Sequence, residues 1–246
     1  MTYLHFLLIF LIPPILVLLF TLPRPLARIG GSRARWALPL VALIAFAYTT
    51  PWDNYLVYRQ VWTYGPERVL GVLGYVPLEE YAFFILQPLL TGLAFYHLLA
   101  RSTPVQTYSS WLFLLILFFC IAITAIGGFL LVAGPSAGLY LGLILTWSGP
   151  ILVGLWGYGG RMMLRHHRPA GLALLLTTPY LWLIDRIAIG VGIWDIADRY
   201  SFDLDPLGLP VEEAIFFLVT NLLVVQGVLL FLHGDQVGTP QRTPAP

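Results

Sequence analysis

Seven apolar stretches near bilayer-crossing length run through this chain: roughly 3–22, 36–51, 81–99, 111–133, 139–158, 169–190 and 214–232. A helix of about 20 apolar residues spans the hydrocarbon core, and backbone at that depth must satisfy its own hydrogen bonds. The composition agrees, at 59% hydrophobic and 10% charged residues with a mean hydropathy of +0.82. Such values fall outside the soluble range. The expectation is an all-α integral membrane protein with seven transmembrane helices. The first stretch has no positive side chain before Arg24 and no small-residue cleavage site after it. It therefore reads as a retained span rather than a removed signal.

Arginine placement predicts the orientation. Arg24, Arg28, Arg33 and Arg35 fall in the segment 23–35, Arg101 follows the third stretch, and Arg161, Arg165 and Arg168 fall in a segment at 159–168. All three segments lie on one side of a seven-span chain, which the positive-inside rule makes cytoplasmic. The N-terminus is then expected outside and the C-terminus inside, as in a multi-pass protein of a bacterial-type plasma membrane. His166 and His167 are expected at lipid headgroups beside those arginines. The tail 234–246, GDQVGTPQRTPAP, is polar and rich in proline, and is expected to be disordered.

Several function classes lack support. A net charge of +1 offers no basic surplus for nucleic acid, and the chain has no CxxC, GxGxxG or HExxH, so zinc-thiolate, dinucleotide and zincin readings fall away. His5 and His97 are isolated, no metal site is expected, and Cys120 reads as packing. All thirteen basic residues are arginine. Without lysine, a retinal Schiff base cannot form.

One motif is written twice. PLEEYAFF at 77–84 returns as PVEEAIFF at 210–217, so Pro77, Glu79, Glu80, Phe83 and Phe84 correspond to Pro210, Glu212, Glu213, Phe216 and Phe217. Upstream, Asp53 and Trp62 are spaced as Asp185 and Trp194 are, and PPILVLL at 13–19 resembles GPILVGL at 149–155. Ordered anchors at near-equal spacing indicate duplication. The chain is expected to contain a three-helix repeat over 1–105, a linker helix over 106–136, a second repeat over 137–233, and the tail. Because the linker adds one crossing, the repeats run parallel and all four Glu gather at one face of the membrane.

Carboxylates at the mouth of an apolar helix are costly to bury and are functional candidates for that reason. A proline ahead of each pair suits a helix start. Glu80, Phe83, Phe84 and Gln87 then share one helix face, as do Glu213, Phe216, Phe217 and Thr220. The helix N-terminus favours an ionised acid by about 0.3–1 kcal/mol, whereas burial and a like-charged neighbour favour the neutral form more strongly. At least one Glu in each pair is expected to hold a proton it can donate. The bland reading makes these acids solvated caps paired with Arg68 or Arg199. Asp53 and Asp185 are candidates to orient a Glu or accept a proton, against the reading that they are ordinary helix-end charges. Trp62 and Trp194 are candidates to face a cation, against ordinary interfacial anchoring.

The duplicated P-L/V-E-E-x-x-F-F motif, the upstream Asp and Trp, and the two three-helix repeats resemble the small membrane-bound lycopene cyclases. In actinobacteria these occur as two short subunits, and in fungi they are fused to phytoene synthase. The resemblance covers almost the whole chain; Val211 and Ala214 depart from Leu78 and Tyr81, so the halves need not contribute equally. It implies non-redox cyclisation of a linear polyene end to a β-ring through a carbocation, with lycopene or a related carotenoid as substrate, membrane lipid around it and no cofactor. Glu79, Glu80, Glu212, Glu213, Asp53 and Asp185 would be catalytic, while Trp62, Phe83, Phe84, Trp194, Phe216 and Phe217 would contact substrate. Two alternatives stand beside it. A proton-coupled transporter or channel would more often carry inverted repeats with acids at the midplane. A non-catalytic carotenoid-binding protein would leave its pigment unchanged.

Overall fold

The computed structural model describes residues 1–22, 29–105 and 109–236. Arg24, Arg28, the first residues of the expected linker and the tail beyond 236 lie outside the described residues. Seven long helices account for most of the rest. They are α1 (Tyr3–Phe20), α2 (Arg33–Tyr58), α3 (Leu78–Leu99), α4 (Ser110–Ala133), α5 (Leu139–Arg165), α6 (His167–Gly190) and α7 (Val211–His233). All but α2 are long and apolar enough to cross a membrane, which makes this a multi-pass, all-α membrane protein. The expected span at 36–51 lies within α2, which starts on Arg33, runs on to Tyr58 and contains Pro39 and Pro51.

Helix α1 departs from regular α geometry over Leu7–Leu11, where it makes one π turn. Such a turn holds one extra residue. Pro14, further along, cannot donate to the carbonyl four residues earlier, and that carbonyl, on Phe10, accepts the Tyr180 hydroxyl of α6 at 2.5 Å. Tyr48 of α2 similarly donates to the Trp147 carbonyl of α5 at 2.8 Å. Pro77 and Pro210 are the N-caps of α3 and α7, one position ahead of the first helical turn, and the Glu pairs follow within that turn.

The segments between α2 and α3 and between α6 and α7 carry short strands that the sequence did not announce. Strand β1 (Trp62–Tyr64) pairs antiparallel with β4 (Trp194–Ile196), matching Trp62 to Ile196 and Tyr64 to Trp194. Beyond the ribbon's two ends, Ala197 N–H donates to the Val61 carbonyl at 2.9 Å, and Gly65 N–H to the Ile193 carbonyl at 3.0 Å. Adding 132 to 61 and 65 gives 193 and 197, so each bond maps onto the other. The turns entering the strands also match: Val61 N–H donates to Leu56 and Ile193 N–H to Ala188, each at 3.0 Å. Gln60 and Gly192, one residue earlier, both have positive φ, at 55° and 67°. A second hairpin, β2 (Val72–Leu73) with β3 (Val76–Pro77), leads directly into α3.

The segment expected as an arginine loop at 159–168 is almost entirely helical, because nothing in GGRMMLR interrupts α5 before Arg165. His166, expected at the headgroups, is buried; its Nδ1 is paired with the Met162 carbonyl at 3.1 Å and its ring stacks on His233 at 5.1 Å. The first three residues of the expected tail, Gly234–Gln236, form a 3-10 turn, where Asp235 meets Arg33 at 2.8 Å. Cys120 is buried in α4, as expected of packing.

Candidate active site

The N-terminal turns of α3 and α7 bring their acids into the protein, not into solvent. Glu79, Glu80, Glu212 and Glu213 are all buried. Neither arginine offered as a partner reaches them: Arg68 donates to the Met1 carbonyl at 2.8 Å, and Arg199 lies over the Tyr200 ring at 4.4 Å. The solvated-cap reading therefore fails for these side chains.

Within each pair the two acids face different surroundings. The leading acid holds its own incoming loop: Glu79 accepts the Leu70 N–H at 2.8 Å, while Glu212 accepts the Phe202 N–H at 2.9 Å and the Ser201 hydroxyl at 3.0 Å. The second acid accepts phenols. Glu80 accepts the Tyr3 hydroxyl at 2.7 Å and the Tyr64 hydroxyl at 3.2 Å, and Glu213 accepts the Tyr140 hydroxyl at 2.5 Å. Burial pushes the Tyr64 phenol well above its usual range, which keeps it a donor.

Glu80 and Glu213 converge on one small chamber of about 30 Å³, lined also by Asp185, Trp62, Trp194, Phe83, Phe216 and Phe217, with Tyr3 and Tyr64. Most of the expected site residues are thus brought together. Glu79 and Glu212 are not, Asp53 is not among the lining residues, and Phe84 lines a neighbouring cavity instead.

Asp53 is fully buried, and neither of its carboxyl oxygens has a hydrogen-bond partner among the described residues. It lies within Coulombic reach of both Glu80 and Glu213, as Asp185 does. Asp185 is better held, because the Trp194 indole donates to its Oδ1 at 3.1 Å. A buried polar atom without a partner is costly, and such sites often mark function.

Aromatic rings enclose the acids. Trp194 packs on Tyr3 at 4.9 Å and on Phe6 at 5.2 Å; Trp62 packs edge-on to Tyr140 at 5.7 Å. Each tryptophan therefore lies against the tyrosine from the opposite half of the chain. Next to the chamber, Trp52 stacks on Trp147 at 4.7 Å and on Phe216 at 5.7 Å. Beyond them opens an apolar groove of about 430 Å³ between α2, α3, α5 and α7. Phe83 and Phe216 line both spaces. Acids beside ring faces in an enclosed space can donate a proton, shelter the resulting cation and take a proton back.

Sequence reasoning missed Tyr3, Tyr140, Tyr64, Trp52 and Trp147. A signal existed for the first two. Tyr3 precedes Pro14 by 11 residues and Tyr140 precedes Pro150 by 10, a mismatch that the π turn of α1 accommodates. No signal existed for Tyr64, whose counterpart in the second half is Ile196.

No family model matches the chain, and no solved structure does. Curated proteins do. The chain is 39% identical over 216 residues to the lycopene beta-cyclase of Halobacterium salinarum, covering 83% of this chain and 86% of that protein. It is 35% identical over 221 residues to the bifunctional lycopene cyclase/phytoene synthase of Phycomyces blakesleeanus, covering 86% of this chain and 36% of that protein. Over 206 residues it is 34% identical to the protein of the same name from Neurospora crassa, covering 78% of this chain and 34% of that protein.

Proposed function

Because the chain belongs to the lycopene cyclase family, we propose that it cyclises the ends of a linear carotenoid by acid catalysis within the bilayer. The observation that carries the proposal is the meeting of Glu80 and Glu213 in one aromatic-walled chamber next to an apolar groove. A carboxylic acid gives its proton to carbon 2 of the terminal double bond, leaving a tertiary cation at carbon 1. The carbon 5–carbon 6 bond closes onto that cation, and the proton at carbon 6 leaves to a carboxylate. Substrate and product have the same formula, and no electrons are exchanged.

The roles follow from what each side chain touches. Glu80 and Glu213 are the acids, each oriented by a tyrosine hydroxyl. Asp53 and Asp185, within Coulombic reach of both, are the candidates to receive the proton. Trp62, Trp194, Phe83, Phe216 and Phe217 shelter the cation, and Phe84 guides the chain from the groove. Glu79 and Glu212 anchor the loops that cover the chamber.

The same reading takes α2 as the seventh span, with α1–α3 and α5–α7 as parallel repeats joined by α4. The exchangeable bonds around the β1–β4 ribbon support it, since antiparallel pairing of equivalent strands is what a two-fold axis along the membrane normal requires. The starts of α2 and α6 and the ends of α3 and α5 carry Arg33, Arg35, Arg168, Arg101, Arg161 and Arg165, which makes that side cytoplasmic and the acid side external. Expression in cells that accumulate lycopene tests the function. One- or two-ringed pigment is expected, and unchanged lycopene despite good expression would contradict it.

A further inference from the structure

The two halves match at the acids but not at the approach to them. The groove that meets the chamber is lined by Ile44 and Thr49 of α2, Leu155 of α5, and Gly227 and Leu230 of α7. Carried to the other half, these positions become Leu176, Leu181, Leu19, Ala94 and His97. There larger side chains stand at two interior positions, Leu181 in place of Thr49 and Ala94 in place of Gly227. Leu181 is fully buried and Ala94 nearly so. His97 is paired through Nε2 with the Leu18 carbonyl at 2.8 Å, which ties α3 to α1. On the groove side a leucine, Leu230, occupies the tying position and a glycine, Gly227, leaves room beside Val41. At the surface the faces do not differ, since Ile44 is 54% exposed and its counterpart Leu176 59%, so the difference lies in the interior positions.

Resting on the function proposed above, we infer that the groove between α2, α5 and α7 is the single port by which a polyene end reaches the acids, and that the counterpart face between α6, α1 and α3 is sealed. The occupant is argued from continuity: Phe83 and Phe216 form the wall shared by groove and chamber, and the groove is apolar almost throughout, as a hydrocarbon chain requires. One port has a kinetic consequence. The second end of a carotenoid can be cyclised only after the one-ringed molecule has left and re-entered reversed.

Matched tryptophan substitutions in the full chain, reconstituted in lipid vesicles with lycopene, test this. Ile44→Trp and Leu155→Trp narrow the groove; Leu176→Trp and Leu19→Trp add the same bulk at exposed counterpart positions. The groove variants are expected to lower the conversion rate about tenfold or more, and the counterpart variants to change it less than about twofold, with membrane yield and thermal midpoint equal across all four. Equal losses on both faces, or losses confined to the counterpart face, would overturn the port. With lycopene in large excess, one-ringed product is expected to appear first or alone, whereas two-ringed product forming without it would also overturn the port. Wild-type protein that converts nothing is a separate outcome and contradicts the cyclase reading itself.

Discussion

The Tyr140 hydroxyl donates to Glu213 at 2.5 Å across the interface of α5 and α7, as Tyr3 does to Glu80 at 2.7 Å across that of α1 and α3. In each half, the first helix thus orients the acid carried by the third. The equivalence is incomplete, because Tyr64 gives Glu80 a second phenol.

Replacing acid by amide separates the two members of each pair. Glu80→Gln and Glu213→Gln are expected to lower the turnover rate by about 10²–10⁴, the range for a lost general acid. Glu79→Gln and Glu212→Gln keep an oxygen for the loop N–H groups they serve and are expected to stay within about tenfold of wild type. Pigment conversion by membranes of equal protein content measures the split. Equal losses at all four positions would remove the distinction.

Tyrosine-to-phenylalanine changes probe positioning. Tyr140→Phe leaves Glu213 without its phenol and is expected to lower kcat about tenfold, which corresponds to one hydrogen bond of about 1.4 kcal/mol, with KM little changed. Tyr64→Phe leaves Tyr3 on Glu80 and is expected to have the smaller effect. Steady-state kinetics on the two variants decide the order.

Asp53 offers a trade between stability and activity. Both of its carboxyl oxygens are buried without a partner among the described residues, and an unsatisfied buried group costs about 1–3 kcal/mol. Asp53→Leu is therefore expected to raise the thermal midpoint in detergent while abolishing cyclisation. A variant that is destabilised or fully active would show that Asp53 has a different role.

Glu212→Ala tests loop anchoring. It removes acceptors from Ser201 and Phe202, worth about 0.5–1.5 kcal/mol for each hydrogen bond lost. Greater proteolysis between Asp198 and Leu209 is expected, well beyond that in Glu212→Gln.

Much of the site was legible because duplication states its own register. Glu80 and Glu213, Trp62 and Trp194, and the Phe pairs could be set side by side from spacing, and all of them but Phe84 converge on one chamber. Tyr3 and Tyr140 escaped because one extra residue, absorbed by the π turn at Leu7–Leu11, shifts them against Pro14 and Pro150. Tyr64 escaped for the opposite reason, since comparison with Ile196 argues against it. The β1–β4 ribbon was hidden because three-residue strands gain their stability from a partner distant in sequence, here in the other half of the chain. The different tasks of Glu79 and Glu80 depend on which way each side chain turns around one helical turn, and helix spacing alone did not separate loop from chamber.

The most direct test of acid-catalysed cyclisation is the mass of product formed in deuterated water. A carboxyl that exchanges with solvent delivers deuterium to carbon 2 as carbon 6 loses protium, so each ring formed is expected to carry one deuterium. Ringed product that contains no deuterium, or whose formula differs from lycopene by hydrogens gained or lost, would contradict the account.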